Sequence, residues 1–273
     1  MEMAGAICRR VPRRAAEVLG EASIEWYLRS HPDVLSVVEA NLRGAFPDAE
    51  LRQISRWAWE TPMNYMRGIV DYLYAEEQPP KILPPLERYE EQLADIGAKI
   101  IVTAHMGNWE VGGLFLGRTL GPHWILAFPE LDPGMERLRA DKRARAGMHT
   151  ILRGGGLSGL MEVRSILKKG GTVIVLLERP IGKDSQSVRL RGRRTRFLRS
   201  PALLSASTGV PIIPVAVMAL GNGLYQGHAG EPIHADAESP GEAIQAAADF
   251  FGGILEQYPD QWYNFYPYWE ERP

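Results

Sequence analysis

The chain has 273 residues, 45% of them apolar and 23% charged, which excludes collagen-like, disordered and coiled-coil classes and leaves an ordinary globular fold with a real core. Its net charge of −2 points to no partner, yet 25 arginines stand against six lysines and they cluster; guanidinium is the better fork for phosphate or carboxylate. A lone cysteine, Cys8, excludes an intrachain disulfide and any multi-cysteine zinc site.

The opening MEMAGAICRRVPRR is a short apolar patch cut by four arginines. It does not read as a secretory signal, so the protein is expected to stay on the cytoplasmic side. Arg9, Arg10, Arg13 and Arg14 beside Ile7, Val11 and Val18 make a basic amphipathic segment suited to anionic lipid, each basic residue contributing on the order of 1 kcal/mol there. Residues 1–80 carry helical spacing and no β-branched run. Pro12 opens a helix that continues to Arg29. A second follows Pro32, with Val34, Leu35, Val38 and Leu42 at helical spacing. A third is expected to start at Asp48 as N-cap, to kink or break at Pro62, and to resume over 65–74.

Beyond residue 80 short apolar strands alternate with helices. Runs at 99–103, 124–128, 150–152, 172–177 and 212–217 are continuously apolar or β-branched, as strands buried on both faces are. Helical segments fall at 109–119, 133–146, 157–169 and 201–207. The fold class expected is therefore α/β, a mixed or mostly parallel central sheet flanked by helices behind an N-terminal helical layer. One domain is expected over 1–273, the layer over 1–80 and the α/β core over 81–273. Residues 180–200, with Arg189, Arg191, Arg193, Arg194, Arg196 and Arg199, read as a loop. No run approaches the roughly 20 apolar residues of a spanning helix; the best, 210–220, carries Pro211 and Pro214. The tail 258–269 holds seven aromatics in twelve residues, a last element tucked into the core or, alternatively, a belt at a membrane interface.

The strand KIIVT runs into AHMGNWE, which puts His105 at the carboxyl end of a strand, where ligand sites of open α/β sheets gather. His105 and Glu110 are five apart, so on one helix they would lie about 140° out of register; a turn must intervene. Gly107 supplies the flexibility and Asn108 a natural N-cap, leaving His105 just before a helix N-terminus whose dipole disfavours imidazolium. A neutral imidazole is what a general base needs near neutral pH. Gly154, Gly156 and Gly159 spell G-x-G-x-x-G, with Glu178 nineteen residues on, so a nicotinamide oxidoreductase is one alternative. A non-catalytic lipid-binding protein is another. No H-x-x-x-H or H-E-x-x-H spacing supports a zinc site, and no metal is expected.

HMGNWE resembles the His-x4-Glu/Asp motif of the glycerolipid acyltransferase superfamily, in the form used by bacterial lipid A biosynthesis (late) acyltransferases and the related phosphatidylinositol mannoside acyltransferases. EANLRGAFPD, LKKGGTVIVLLERP, RTRFLRSPALLSASTGVPIIPV and YPDQWYNFYPYW resemble further elements of that family, so the likeness covers roughly residues 10–270. It implies O-acyl transfer from an acyl thioester, acyl-CoA or acyl carrier protein, to a hydroxyl of a lipid or glycolipid, with no other cofactor. His105 is then the base, Glu178 its relay partner, and Glu110 a positioning or salt-bridging residue. Asn108 and Arg153 are expected at the substrate, and Arg189, Arg191, Arg193, Arg194 and Arg196 at phosphates of acceptor or donor. Trp57, Trp59, Met63, Tyr65 and Met66 offer an apolar groove for acyl chains. The protein is expected at the inner face of the inner membrane, peripheral, touching anionic lipid and no nucleic acid.

Overall fold

A computed structural model describes residues 11–83, 97–119, 121–127, 133–152, 157–180 and 183–269. The N-terminal layer is built from helices α1 (Arg13–Ser30), α2 (Pro32–Ala45) and α3 (Leu51–Tyr74). Helix α3 begins after Glu50 and not at Asp48, and Pro62 does not break it. Proline removes one hydrogen bond there, but Thr61 Oγ1 closes the preceding turn on the Trp57 carbonyl at 2.8 Å. Thr61, Pro62 and Met63 are all buried, and Asn64 ties the next turn to the Asp260 carbonyl at 3.2 Å. Tertiary packing outweighs the local penalty.

The rest follows in chain order as β1 (Lys81–Leu83), β2 (Lys99–Thr103), α4 (Trp109–Thr119), β3 (His123–Ala127), α5 (Pro133–Arg145), β4 (Met148–Leu152), α6 (Leu157–Lys168) and β5 (Thr172–Leu176). Then come β6 (Gln186–Leu190), β7 (Arg193–Phe197), α7 (Ser200–Thr208), β8 (Ile212–Gly221), β9 (Leu224–Ala229), α8 (Pro240–Gln257) and a 3₁₀ turn at Pro259–Gln261. Among the described residues seven strands form the central sheet in the order β1-β9-β8-β2-β5-β3-β4. Every pairing is parallel except the β8–β9 hairpin.

β2 and β5 occupy the middle, which is why the interior of each is apolar on both faces. Ile100, Val102, Val173 and Val175 face one core with α2, α7 and α8; Ile101 and Ile174 face the other with Tyr72, Val111, Leu114 and Tyr225. No helix among the described residues is long and apolar enough to cross a membrane.

The arginine-rich stretch is not a loop. β6 and β7 pair antiparallel around Arg191–Gly192, both at positive φ (52° and 78°), the backbone of a two-residue type I′ turn. Arginines alternate with Val188, Leu190, Thr195 and Phe197, which are buried, and α8 packs against the hairpin through Gln245, which exchanges two 2.8 Å hydrogen bonds with the Arg189 backbone. The tail is tucked inward: Trp262, Tyr263 and Tyr268 are buried.

Candidate active site

Parallel pairing sets Thr103 beside Leu176, so β2 and β5 end at the same edge and two further residues on each bring His105 beside Glu178. The turn between β2 and α4 is tight. Gly107 has φ 55°, and a Cβ there would lie 2.1 Å from the Val217 carbonyl oxygen, so only glycine fits. Gly107 N–H bonds the Gln261 carbonyl at 2.9 Å and Asn108 N–H bonds that of Val217 at 2.8 Å. Asn108 Oδ1 accepts Val111 N–H at 3.1 Å, the expected N-cap of α4.

His105 Nδ1 lies 3.3 Å from Glu178 Oε2, which also accepts the His105 backbone N–H at 2.5 Å. The second oxygen, Oε1, accepts Trp262 Nε1–H at 2.7 Å and Asn264 Nδ2–H at 3.3 Å. Glu178 is wholly buried, whereas the His105 side chain keeps 11% of its surface exposed. Burial pushes the Glu178 carboxyl up, but the hydrogen bonds and charge of His105 with the Trp262 N–H more than reverse this, and its pKa sits below the ordinary value. Burial also pushes the His105 pKa down, beyond what Glu178 restores. The ring is therefore neutral near neutral pH, and burial is the main cause. A carboxylate only accepts, so Nδ1 carries the proton and Nε2 keeps its lone pair. The edge of the Trp109 ring meets the imidazole at 5.3 Å between centroids.

Beside this turn lies a narrow, largely apolar cleft between α3 and the start of α4, with a cavity of only about 30 Å³, lined by Tyr65, Ile69, Tyr72 and Trp109 and bordered by Glu110 and Arg139. Glu110 turns elsewhere: its Oε1 accepts Arg143 Nη2–H at 2.7 Å and lies 3.6 Å from Arg139 Nε. Among the described residues no group of His, Cys, Asp and Glu is placed to hold a metal ion.

Residues 3–271 match the family of bacterial lipid A biosynthesis acyltransferases. The chain belongs to that family. Similar proteins include a phosphatidylinositol mannoside acyltransferase of Mycobacterium tuberculosis H37Rv, 23% identical over 268 residues, which are 96% of this chain and 84% of that one. Another of the same description, from Mycolicibacterium smegmatis, is 26% identical over 175 residues, 62% of this chain. The alignment spans only 56% of the Mycolicibacterium protein, little more than half.

The other candidate residues of this family member scatter. Asn108 is engaged by the protein at both ends of its amide, since Nδ2 donates to the Gly68 carbonyl at 2.9 Å and to Tyr225 Oη at 3.1 Å. Arg153, Gly154 and Gly156 lie outside the described residues, as do Arg9 and Arg10. The hairpin separates its arginines. Arg189 and Arg194 stand directly opposite on the outer face, with Arg196 next along it. Arg196 shares a cleft with Glu178, Arg179 and Tyr266. Arg191 instead pairs with Glu256 at 2.9 Å and covers the Phe46 ring, while Arg193 lies over Trp269. Those two guanidiniums are engaged by the protein itself.

The sequence reading missed the groups that hold Glu178. Trp262 and Asn264 come from the aromatic tail, and Asn41 on α2 pins that tail. Asn41 Nδ2 donates to the Asn264 and Tyr266 carbonyls at 2.9 and 2.8 Å, and its Oδ1 accepts Tyr268 N–H at 3.0 Å. Gln261 clamps both backbone groups of Ala219 at 2.8 Å. The signal was present: Asn, Gln and Trp set among apolar residues require partners once buried.

Proposed function

We propose that this protein moves a fatty acyl group from an acyl thioester, acyl-CoA or acyl carrier protein, to a hydroxyl of a membrane glycolipid, with His105 as general base. The observation that carries this reading is the buried Glu178 carboxylate on His105 Nδ1, which leaves the lone pair on Nε2 of a ring whose side chain is 11% exposed. Nε2 takes the hydroxyl proton as the oxygen attacks the thioester carbonyl. The tetrahedral intermediate collapses with loss of the thiolate, which recovers the proton from the imidazolium. Glu178 stabilises that imidazolium and fixes the tautomer, so no acyl-enzyme and no further cofactor are needed. The narrow apolar cleft between α3 and α4 adjoins the base through Trp109 and marks the side from which an acyl chain would approach, with the cleft widening to admit it.

Relatives named for phosphatidylinositol mannosides favour a glycolipid acceptor bearing phosphate. The hairpin supports this. Arg189 and Arg194 are cross-strand partners, with Arg189 Nη1 donating to the Gly192 carbonyl at 3.0 Å; like charges at such a pair are unfavourable, and an anion bound there turns the arrangement favourable. The test is mass spectrometry of products from the purified protein with acyl-CoA or acyl carrier protein and a panel of hydroxylated glycolipids. Transfer to a phosphate-bearing glycolipid is expected, and replacing Arg189, Arg194 and Arg196 together by Gln should raise the acceptor KM about tenfold with donor KM unchanged. Acylation of no hydroxyl by any donor would sink the reading.

We also assign the membrane-facing surface to α1. Its outer face exposes Val18 (60%), Leu19 (64%) and Trp26 (71%), and Arg14 is exposed at its start. Arg13 is held by Asp71 and Glu17 and does not contribute. Leu19→Ser with Trp26→Ser should strip most binding to anionic vesicles in a flotation assay, because two apolar insertions of about 1.5–3 kcal/mol each are lost. Unaltered flotation would show that another face docks.

A further inference from the structure

The turn that carries His105 is held from behind by a polar chain that acyl transfer itself does not use. Asn108 Nδ2 reaches Tyr225 Oη, 3.1 Å away on β9. Tyr225 is wholly buried and donates its own proton to Asp71 Oδ2 on α3. Asp71 Oδ1 accepts Arg13 Nη2–H at 2.5 Å, and Arg13 Nε–H bonds Glu17 at 2.9 Å on α1. One line of hydrogen bonds thus runs from α1 through α3 and β9 to the N-cap of α4, three residues from the base.

Packing alone does not call for this line. A phenylalanine at 225 would fill the same space without the desolvation cost of a buried hydroxyl. The Gly68 carbonyl and the Val111 N–H already fix which end of the Asn108 amide is which; the hydroxyl, donating to a carboxylate, offers its lone pairs to Nδ2 as a second acceptor and so ties the amide in that orientation to β9. That orientation caps α4 and sets where the preceding turn leaves β2.

We propose that Tyr225 and Asp71 are positioning residues, holding Asn108 and through it the His105 turn so that Nε2 meets the acceptor hydroxyl at reacting distance. The proposal rests on the acyl-transfer reading above. A misplacement of about 1 Å at the base costs on the order of a hundredfold.

Tyr225→Phe should lower kcat roughly ten- to hundredfold with KM for donor and acceptor nearly unchanged. In the substrate-free protein, nitrogen NMR of labelled histidine should show the His105 ring passing from one tautomer to a mixture, with His105→Ala assigning the signal. Asp71→Asn, which keeps the volume, should do the same, and the double variant should be no worse than the worse single one, as expected of a shared chain. Wild-type kcat in Tyr225→Phe overturns the proposal. So does a lowered kcat with an unaltered His105 spectrum, since the hydroxyl would then serve stability alone. If Tyr225→Phe does not fold, Asp71→Asn decides by the same two measurements. If the wild-type protein transfers no acyl group at all, the acyl-transfer reading fails, and the spectrum alone then decides whether the chain positions His105.

Discussion

An alanine at position 105 is expected to lower acyl transfer by roughly 10²- to 10⁴-fold, the usual contribution of a positioned general base, while the protein stays folded. Glu178 would keep three of its donors, the backbone N–H of residue 105, Trp262 and Asn264, so the buried carboxylate is not stranded. The wild-type pH profile should carry the same signature. Burial holds the His105 pKa below its ordinary value of 6.5, so kcat/KM should be level around neutrality and fall only as pH drops through that lowered pKa. Stability follows with its own sign. Between pH 6.5 and the lowered pKa the unfolded chain binds a proton that the native ring does not, so native stability declines as pH falls through that window. Glu178, depressed in the native state, contributes stability that is present above the unfolded carboxylate pKa and lost as pH falls through its folded value. His105→Ala should remove the first component and much of the second, because the His105 ring supplies the two largest influences that hold the Glu178 pKa down, as read from urea unfolding at stepped pH. A radiolabelled transfer assay in which the alanine variant keeps the wild-type rate would remove the mechanism.

The parts of the fold legible in the sequence were those with a strong period. KIIVT and TVIVL are apolar on both faces because they lie mid-sheet, and their shared carboxyl edge follows from parallel pairing. β6 and β7 were hidden by composition. Six arginines read as solvated loop, although Val188, Leu190, Thr195 and Phe197 alternate with them at strand spacing around an Arg-Gly turn. Continuity of α3 across Pro62 was not legible either, since a single-residue rule carries no knowledge of the packing that outweighs it. At the site, His105 and Glu178 could be placed on adjacent strand ends and Glu110 read as a positioning or salt-bridging residue, but its partner could not be named, because Arg143 is 33 residues away on α5. The groups that orient Glu178 sit 84 and 86 residues further along. Long-range polar pairing has no period, so only the presence of Trp, Asn and Gln in an otherwise apolar tail hinted at it.

The two glutamates should separate cleanly by what their amide variants lose. Glu178→Gln should cut the rate by roughly 10²- to 10⁴-fold, because an amide NH₂ facing His105 favours the wrong imidazole tautomer and no charge remains to stabilise the imidazolium. It also sets an NH₂ against at least one N–H donor, so a loss of stability on the order of 1–3 kcal/mol accompanies the rate effect. Glu110→Gln leaves the ring untouched and strips the charge facing Arg143, whose side chain is only 10% exposed. Removing one partner of a buried pair costs about 3–5 kcal/mol, and a glutamine that still accepts through its oxygen should fall at or below the low end. Its kcat at a temperature where it is folded should therefore lie within about tenfold of wild type. Thermal unfolding and transfer rates on the same samples measure both quantities. If Glu110→Gln proves the slower enzyme while Glu178→Gln stays near wild type, the relay runs through Glu110, and the 3.3 Å contact between His105 and Glu178 is structural only.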